Sequence, residues 1–435
     1  MRVKRHKARA VGIACALAAA LAVAGCGSSG SSSSNVPGVS ATSITFGTHQ
    51  PLTGPAAPGY SEIAPASQAF FDYLNAKGGI YGRKIHLLIK NDEYNPTNTV
   101  NVVRELVLKD NVFGIFEGLG TPTHTKVVGF LNSSKVPDMF VASGCPCWDT
   151  GSSQPWTFGW QPNYTIEGKI MGQYLKQHFA GKKIGVFYQD DDFGKGGLAG
   201  IKDEVPASSI VSAQPYQSGT TNVAPQIAAV KAAGAEILVD FTVPIYTALG
   251  QLASFTLDYK PQLVVSNVGI DPTTVGGLLK TFSKGKAGTE LIEGAITNGY
   301  LPSSSEESNP WIALFKKIKD EYDPSAPLDG NVEYGMANAY TLAQALQLAG
   351  KNLTREKLID VVNEDGAKLT GPGLVPFRYS KEEHGGYAGV EMGQVRGGKI
   401  VLFGGPLVTE PTASSPITPY TVSQPAPPTS GVSVP

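Results

Sequence analysis

A glycine turn crowded with hydroxyl side chains is the first place where this sequence could do chemistry. Residues 117–125 read E-G-L-G-T-P-T-H-T, between an apolar run at 112–116, predicted as a strand, and a stretch at 122–132, predicted as a helix. The first amides of a helix lack intrahelical acceptors and carry the positive end of its dipole, so they favour an anion. Thr121 and Thr123 add hydroxyl donors, so the pattern predicts a carboxylate site. The alternative is that Thr121 only caps its own helix.

Other residues offer weaker chemistry. Cys145 and Cys147 stand one residue apart, which leaves a tight disulfide or two free thiols open, and no other His or Cys stands at zinc-like spacing. Gly118 and Gly120 begin a dinucleotide-type pattern whose third glycine is absent. The acidic run at 190–192 has no accompanying Ser, His and Asp set or nucleophile elbow. The sequence therefore predicts no metal, no cofactor and no enzymatic activity.

The elements that must position these residues alternate along the chain. From Ser43 onward, short β-branched runs are followed by amphipathic helical stretches, and the same rhythm starts again with a helix at 166–179. This order is typical of parallel sheets with crossover helices. Three late helices, at 310–321, 332–348 and 354–363, lie too far along to extend the second unit. The sequence therefore predicts two doubly wound α/β lobes, with the chain crossing back to the first.

The N-terminus predicts export. Five basic residues within 2–9 precede an apolar stretch at 11–24, which is short for a transmembrane span and is typical of a secretory signal. The stretch ends in V-A-G-C, which resembles the lipobox of bacterial lipoproteins, where the cysteine is lipidated; the alternative is an ordinary small-residue cleavage site. We therefore predict a signal peptide at 1–25 and a lipid on Cys26 that anchors the protein to the outer face of the cell membrane.

Both ends of the mature chain are predicted to be flexible. Residues 26–41 start with a Gly and Ser run that buries no apolar area and should form a tether. Residues 410–435 are rich in Pro, Ser and Thr without apolar periodicity, which predicts disorder.

The charge of the chain argues against nucleic acid as a partner. The formal net charge is −1 at pH 7, and removal of the basic signal leaves the mature protein more acidic. Binding to phosphate backbones requires the opposite sign.

Several motifs, taken in order, resemble one family: the extracytoplasmic solute-binding proteins of ABC importers with the type I periplasmic-binding fold, in particular the leucine-binding group. The resemblance covers about residues 43–405, and the N-A-K-G-G-I run is its most specific part. The matching stretches are Q-P-L-T-G-P at 50–55, L-N-A-K-G-G-I-Y-G-R at 74–83, K-N-D-E at 90–93, Q-D-D-D-F-G at 189–194 and the alanine-rich helix within 330–350.

The resemblance implies two lobes joined by a hinge of three segments, with solute in the cleft between them. We expect a first lobe of 42–163 plus about 295–375, and a second lobe of 164–294 plus about 376–409.

The resemblance also implies site residues and partners. In the family, a Ser or Thr at the helix start and the loop after the next strand hold the solute carboxylate, which assigns Thr121, Thr123, Ser143 and Gly144 to ligand binding. Aromatic side chains of the second lobe, here Tyr164 and Phe193, are expected to close over an apolar solute. The implied partners are a small solute, an ABC permease and its ATPase subunits.

One departure from the family concerns the solute. Amino-acid-binding members place an acidic residue after a strand like 262–266, against the solute ammonium. Here the loop at 267–271 reads N-V-G-I-D, with Asp271 a few positions late. An unpaired ammonium costs several kcal/mol when desolvated. The sequence thus predicts a transport receptor for a small carboxylate-bearing solute, either an amino acid or an organic acid. The alternatives are a ligand-binding sensor that signals to a membrane partner and, less well supported, an extracytoplasmic hydrolase.

Overall fold

Strands and helices alternate along the computed structural model, which describes residues 36–422, 424–429 and 431–433. The predicted signal peptide at 1–25, the lipidation site Cys26 and most of the predicted tether lie outside the described residues. The last part of that tether is packed rather than free, because Val39 forms an antiparallel bridge with Ile44. No helix within the described ranges is long and apolar enough to cross a membrane.

Five strands and five helices form the first part of the fold. In chain order they are β1 (Ser43–Gln50), α1 (Ala57–Tyr60), α2 (Ile63–Ala76), β2 (Lys84–Asn91), α3 (Pro96–Leu108), β3 (Ile115–Phe116), α4 (Thr121–His124), α5 (Val128–Ser133), β4 (Asp138–Val141) and β5 (Thr157–Gly159). The strands make one parallel sheet in the order β2-β1-β3-β4-β5. The single helix predicted at 122–132 is wrong, because α4 and α5 are separated by a tight turn.

The turn between α4 and α5 has a local cause. The amide of Lys126 donates to the carbonyl of Thr123 (3.1 Å), and that of Val127 donates to the carbonyl of His124 (3.0 Å). These short-range bonds tighten the chain at the end of α4. The helix that begins at Thr121 is therefore a single turn, and the side chain of His124 lies at its end.

The second part repeats the alternation. In chain order its elements are α6 (Tyr164–His178), β6 (Ile184–Gln189), α7 (Asp192–Glu204), β7 (Ile210–Tyr216), α8 (Ala224–Ala232), β8 (Ile237–Phe241), α9 (Pro244–Thr256), β9 (Gln262–Val265), α10 (Pro272–Phe282) and β10 (Ile296–Gly299). Strands β6 to β10 pair in parallel wherever they are neighbours. Parallel pairing needs the crossover helices that the sequence predicts between them.

The last part of the chain returns to both sheets. Its elements are α11 (Pro310–Tyr322), α12 (Gly330–Ala349), α13 (Arg355–Asp365), β11 (Gly389–Arg396), β12 (Lys399–Leu402), β13 (Leu407–Val408) and β14 (Thr418–Pro419). Helices α11 and α12 pack on α2, whereas β11 pairs antiparallel with β10. The second sheet runs β14-β13-β11-β10-β9-β8-β6-β7, with β12 on β11. The predicted two-lobed, doubly wound α/β fold is confirmed.

The lobes meet at positions that differ from the expected ones. The first lobe comprises the five-stranded sheet with α11 to α13, and the second comprises the larger sheet with α6 to α10. Because β10 pairs with β9 and β11, the second crossing follows Gly299 rather than residue 294. The ring of His384 stacks on Phe158 in the first lobe, and the ring of Tyr379 meets Phe158 edge-on. The third crossing therefore comes after His384 rather than near 375.

The C-terminal segment is ordered in the structure, which contradicts the predicted disorder. β14 pairs with β13, and Lys169 Nζ donates to the carbonyls of Thr412 (2.6 Å) and Ser415 (2.9 Å). Farther along, the indole of Trp311 donates to the carbonyl of Pro425 (2.7 Å). A segment without apolar periodicity is thus held mainly through its backbone carbonyls, a kind of contact that residue types do not reveal.

Candidate ligand-binding site

A cavity of about 480 Å³ lies where the two lobes face each other. Its walls come from the carboxyl ends of strands in both sheets and from the start of α12, as open α/β sheets place their ligands. The volume falls in the range that suits a small organic solute. The lobes already touch around it, because Tyr60 of the first lobe donates its hydroxyl to the carbonyl of Val268 in the second (2.7 Å).

Thr121 opens α4 and lines this cavity. Its Oγ1 lies 2.6 Å from Ser143 Oγ, which in turn lies 3.3 Å from the hydroxyl of Tyr164. Gly120 precedes Thr121 with a φ of 101°, a left-handed conformation that favours glycine. The hydroxyl groups of Thr121 and Tyr164, at the starts of α4 and α6, therefore meet at one edge of the cavity, with that of Ser143 behind them.

The six residues predicted to bind ligand divide into two groups. Thr121, Tyr164 and Phe193 line the cavity. The other three lie one layer behind it: Ser143 backs Thr121, the carbonyl of Gly144 accepts from the amide of Tyr164 (2.8 Å), and Thr123 Oγ1 donates to the carbonyl of Leu119 (2.5 Å). Their geometry gives Thr123, Ser143 and Gly144 the task of fixing the cavity edge.

A buried pair of imidazoles supports the turn from below. His49 Nε2 lies 3.0 Å from His124 Nδ1, while their outer nitrogens lie 2.8 Å from Asp92 Oδ2 and 2.7 Å from Asp138 Oδ2, respectively. All four side chains are fully buried. A Cβ on Gly118 would lie 2.6 Å from His124 Nδ1, so the backbone of the glycine turn rests directly on the rings. This network fixes the helix that carries Thr121.

Aromatic side chains from both lobes line the cavity. Those lining it are Tyr60, Tyr94, Tyr164, Phe193, Tyr300 and Tyr334. The rings of Tyr164 and Phe193 lie 4.6 Å apart, and Tyr334 donates its hydroxyl to Gln161 Oε1 (3.2 Å). Such a wall gives apolar contact while the phenol groups keep partners.

The second lobe adds amide groups held by a buried carboxylate. Glu167 accepts hydrogen bonds from Ser266 Oγ (3.1 Å), from the amide and side chain of Asn267 (2.9 and 2.8 Å) and from Asn298 Nδ2 (2.8 Å). Burial raises the pKa of Glu167, and these donors oppose that rise. Asn267 and Asn298 line the cavity, so Glu167 orients them without facing the solute itself.

Asp271, whose position left the amino-acid prediction open, reaches the cavity wall. Its carboxylate is already engaged, because Oδ1 accepts from the amide of Thr274 (2.9 Å) and Oδ2 from the amide of Gly330 (3.1 Å). The second of these bonds joins α10 of the second lobe to the start of α12 in the first. Asp271 therefore works as a helix cap and a link between lobes.

The two cysteines within the described part of the chain lie beside this site. Cys145 Sγ and Cys147 Sγ are joined in a disulfide, and a carboxylate oxygen of Asp192 lies within 4.8 Å of them. Sulfur in a disulfide is not a thiolate and does not ligate a metal as a thiolate does. The cluster therefore offers no metal centre in this state.

Several cavity residues were missed from the sequence. Ligands in this fold class bind at the carboxyl ends of strands, and Tyr94 follows the end of β2 in this way. Asn298 and Tyr300 lie at the end of β10, so they could have been found only if β10 had been predicted. Tyr60 lies in the kinked α1, where no periodic pattern exists. Glu333 lies in the first turn of α12, where acidic residues are common because they interact favourably with the positive end of the helix dipole.

Comparisons with known proteins agree with this architecture. The family described as periplasmic binding protein matches residues 43–399. Among curated relatives, the Leu/Ile/Val-binding protein homolog 8 of Brucella abortus is 23% identical over 381 residues, which cover 82% of this chain and 89% of the relative.

Solved structures share the fold at low identity. A fatty acid ABC transporter substrate-binding protein from Thermomonospora curvata superposes with a TM-score of 0.72 at 22% identity, covering 89% of this chain and 97% of that one. A branched chain amino acid ABC transporter from Thermus thermophilus with bound valine gives a TM-score of 0.72 at 18% identity, covering 86% and 98%. The chain therefore belongs to the periplasmic binding protein family and is a solute-binding protein with the type I fold.

Proposed function

We propose that this chain is an extracytoplasmic lipoprotein of an ABC importer, which captures a small carboxylate-bearing solute by lobe closure and delivers it to a membrane permease. The observation that carries the proposal is the cavity between the lobes, with the hydroxyl of Thr121 on its edge. Relatives support it, because their names mention leucine, isoleucine and valine, a fatty acid, or bound valine. All of these solutes contain a carboxyl group.

The hydroxyl edge is suited to a carboxylate. Hydroxyl groups of Thr121, Ser143 and Tyr164 lie within 2.6 to 3.3 Å of their neighbours, so their hydrogens can be shared along the row and one donor can turn toward a guest. A hydrogen bond to a charged acceptor contributes about 1.5–3 kcal/mol. The remainder of the solute would lie against the aromatic wall, which favours an apolar body.

Closure is supported by where the lobes touch. Tyr60 bonds to Val268, and Asp271 bonds to Gly330, so hydrogen bonds already join the lobes at the cavity rim. Three chain crossings make the hinge, and hinge closure around a ligand is a known response of two-lobed binding proteins. Solute that contacts both walls would stabilise this closed arrangement.

The anchor is proposed from the sequence alone. The basic, apolar and small-residue segments before Cys26 predict export followed by lipidation, and a Gly and Ser run follows directly. Lipid and tether would hold the folded body near the membrane, where a permease and its ATPase subunits act.

Two matched substitutions test the carboxylate site. Thr121→Val removes the cavity hydroxyl with little change in shape, and we expect affinity for a bound carboxylate to fall about tenfold to a hundredfold. Thr123→Val removes a hydroxyl whose partner is the carbonyl of Leu119, so it should lower stability and leave affinity nearly unchanged. Thr121→Ser should restore binding.

The probes are leucine, hexanoate and 4-methylpentanoate, measured by thermal shift and then by calorimetry. A ligand at a hundred times its dissociation constant adds about 2.7 kcal/mol to stability, which such a screen detects. Equal affinity of the wild-type protein and Thr121→Val for a probe that binds would contradict the assignment of Thr121.

A further inference from the structure

A carboxyl group besides that of Asp271 lies in the cavity wall, and it has no hydrogen-bond donor within the described part of the chain. Glu333 is 3% exposed, and its Oε1 has no hydrogen-bond partner among the described residues. It lines the cavity from the first turn of α12. A buried carboxyl without a partner costs free energy, so a protein rarely keeps one for stability.

Glu167, which lies behind the cavity-lining Asn267 and Asn298, shows what a structural carboxylate looks like nearby. It is 1% exposed, as buried as Glu333, but it accepts four hydrogen bonds from Ser266, Asn267 and Asn298. The two glutamates are equally buried, but among the described residues only Glu167 has hydrogen-bond donors, and only Glu333 lines the cavity. The difference indicates that the donors for Glu333 come from the guest.

Other acidic residues surround Glu333. Asp329 and Asp271 lie close enough to raise its pKa, after burial, which is the larger cause. The two lysines that line the cavity do not offset them: Lys316 pairs with Asp320 (3.1 Å), and Lys399 is exposed to solvent. This end of the cavity would therefore attract a positive group.

The aromatic wall suits the same guest. Tyr300 and Tyr334 line the cavity, and Tyr334 follows Glu333 on α12. Faces of aromatic rings attract cations, more strongly where water is excluded. A buried acid beside tyrosine rings is thus a chemically consistent setting for an ammonium group.

We propose that Glu333 recognises a protonated amine on the solute, so that this receptor selects carboxylates that also bear an amine. The inference rests on the proposed function, because it takes the cavity as the solute site. The group that decides specificity then lies on α12 of the first lobe, whereas the loop at 267–271 supplies amides and a helix cap.

Proton release accompanies this mode of recognition. Burial, together with Asp329 and Asp271, raises the pKa of Glu333 well above its ordinary value, so the empty cavity favours the protonated form of this carboxyl. An ammonium group favours the ionised form, which means that binding displaces the proton to the buffer. A solute without an amine would leave the proton in place and could accept it in a hydrogen bond.

Two matched pairs of probes separate these outcomes: leucine with 4-methylpentanoate, and 6-aminohexanoate with hexanoate. We expect an amine-bearing member to bind at least about tenfold more tightly than its partner, with proton release in calorimetry at pH 7 in two buffers of different ionisation enthalpy. Glu333→Gln should erase the preference and the proton release while leaving the amine-free acids within about threefold. Equal or better binding of both amine-free acids by the wild-type protein overturns the inference.

Thermal midpoints measured without ligand distinguish a binding role of Glu333 from a structural one. Glu333→Gln should not lower the thermal midpoint, whereas Glu167→Gln should lower it, because an amide NH₂ would face the donors of Asn267 and Asn298. A loss in Glu333→Gln as large as that in Glu167→Gln would make Glu333 structural and overturn the inference.

The two proposals fail in different ways. Binding of amine-free acids that depends on Thr121 but not on Glu333 refutes only the amine inference. Binding of 3-methylbutylamine that depends on Glu333 but not on Thr121 refutes only the carboxylate site. Failure of every acid and amine to bind refutes both.

Discussion

Replacing His124 by Leu should reveal how much the buried imidazole pair stabilises the glycine turn. Burial lowers the pKa of His49, with the Asp92 hydrogen bond opposing this, which favours the neutral form of the His49 ring. It then donates Nδ1–H to Asp92 and presents a lone pair at Nε2. In that arrangement His124 donates through both nitrogens, to His49 and to Asp138.

The expected loss follows from the bonds removed. His124→Leu deletes two charge-assisted hydrogen bonds, each contributing about 1.5–3 kcal/mol, and leaves Asp138 with the hydroxyl of Thr157 as its remaining donor among the described residues. Breaking a buried pair by removing one partner typically costs about 3–5 kcal/mol. We expect a loss of about 3–5 kcal/mol in unfolding free energy, together with weaker solute binding, because His124 ends the helix that Thr121 begins.

Urea unfolding followed by tryptophan fluorescence is a suitable assay, since the ring of Trp148 lies 5.3 Å from that of His124. The exposed His86→Leu serves as a control, expected within about 0.5 kcal/mol of the wild-type protein. The double variant His124→Leu, Asp138→Leu should recover part of the loss, because it also removes the unpaired charge. A single-variant loss below about 1 kcal/mol, or a double variant that is less stable than the single one, would refute the charged pair.

Three further predictions concern acid, tail and anchor. Burial raises the pKa of Asp329 to about 8, so the folded protein keeps a proton that the unfolded chain releases above about pH 4. The free energy of unfolding should therefore fall as the pH rises from 5 to 8. Asp329→Asn keeps the helix cap and should flatten this fall in thermal scans. Lys169→Met should free the tail, measured as faster proteolysis beyond residue 409, and unchanged cleavage would contradict the contacts of Lys169. Cys26→Ser should abolish the acylated N-terminal peptide seen by mass spectrometry of membrane extracts; a wild-type N-terminus without lipid would refute the anchor.

Helices and strands with regularly spaced apolar residues could be predicted from the sequence, because that pattern lies within the segment itself. Helix α11 is predicted within one residue of its observed bounds, and α12 within two. Strand β10 was missed since its four residues, I-T-N-G, hold one apolar side chain, and its pairing with β9 and β11 is decided across the sheet. The misplaced second crossing follows from that single omission.

The residues of the candidate site also divide into those that a local sequence pattern predicts and those that depend on tertiary contacts. Thr121, Tyr164 and Phe193 were accessible because each lies at a strand end or helix start, where ligands bind in this fold class. Glu333 was not accessible, because its proposed role depends on the absence of a hydrogen-bond donor for Oε1 among the described residues. Residue type and spacing cannot distinguish a satisfied glutamate such as Glu167 from an unsatisfied one.

The placement of the charged groups suggests an order of events in binding. Thr121 and Glu333, proposed to meet the carboxylate and the amine, both belong to the first lobe, whereas the second lobe contributes rings and amides through Tyr164, Phe193 and Asn298. A solute could therefore make its charge-specific contacts on the open first lobe, and closure would add apolar burial. Because closure then buries charges that are already paired, the desolvation cost of an unpaired ion is avoided at the closing step. Selection by charge would precede closure, and selection by shape would follow it.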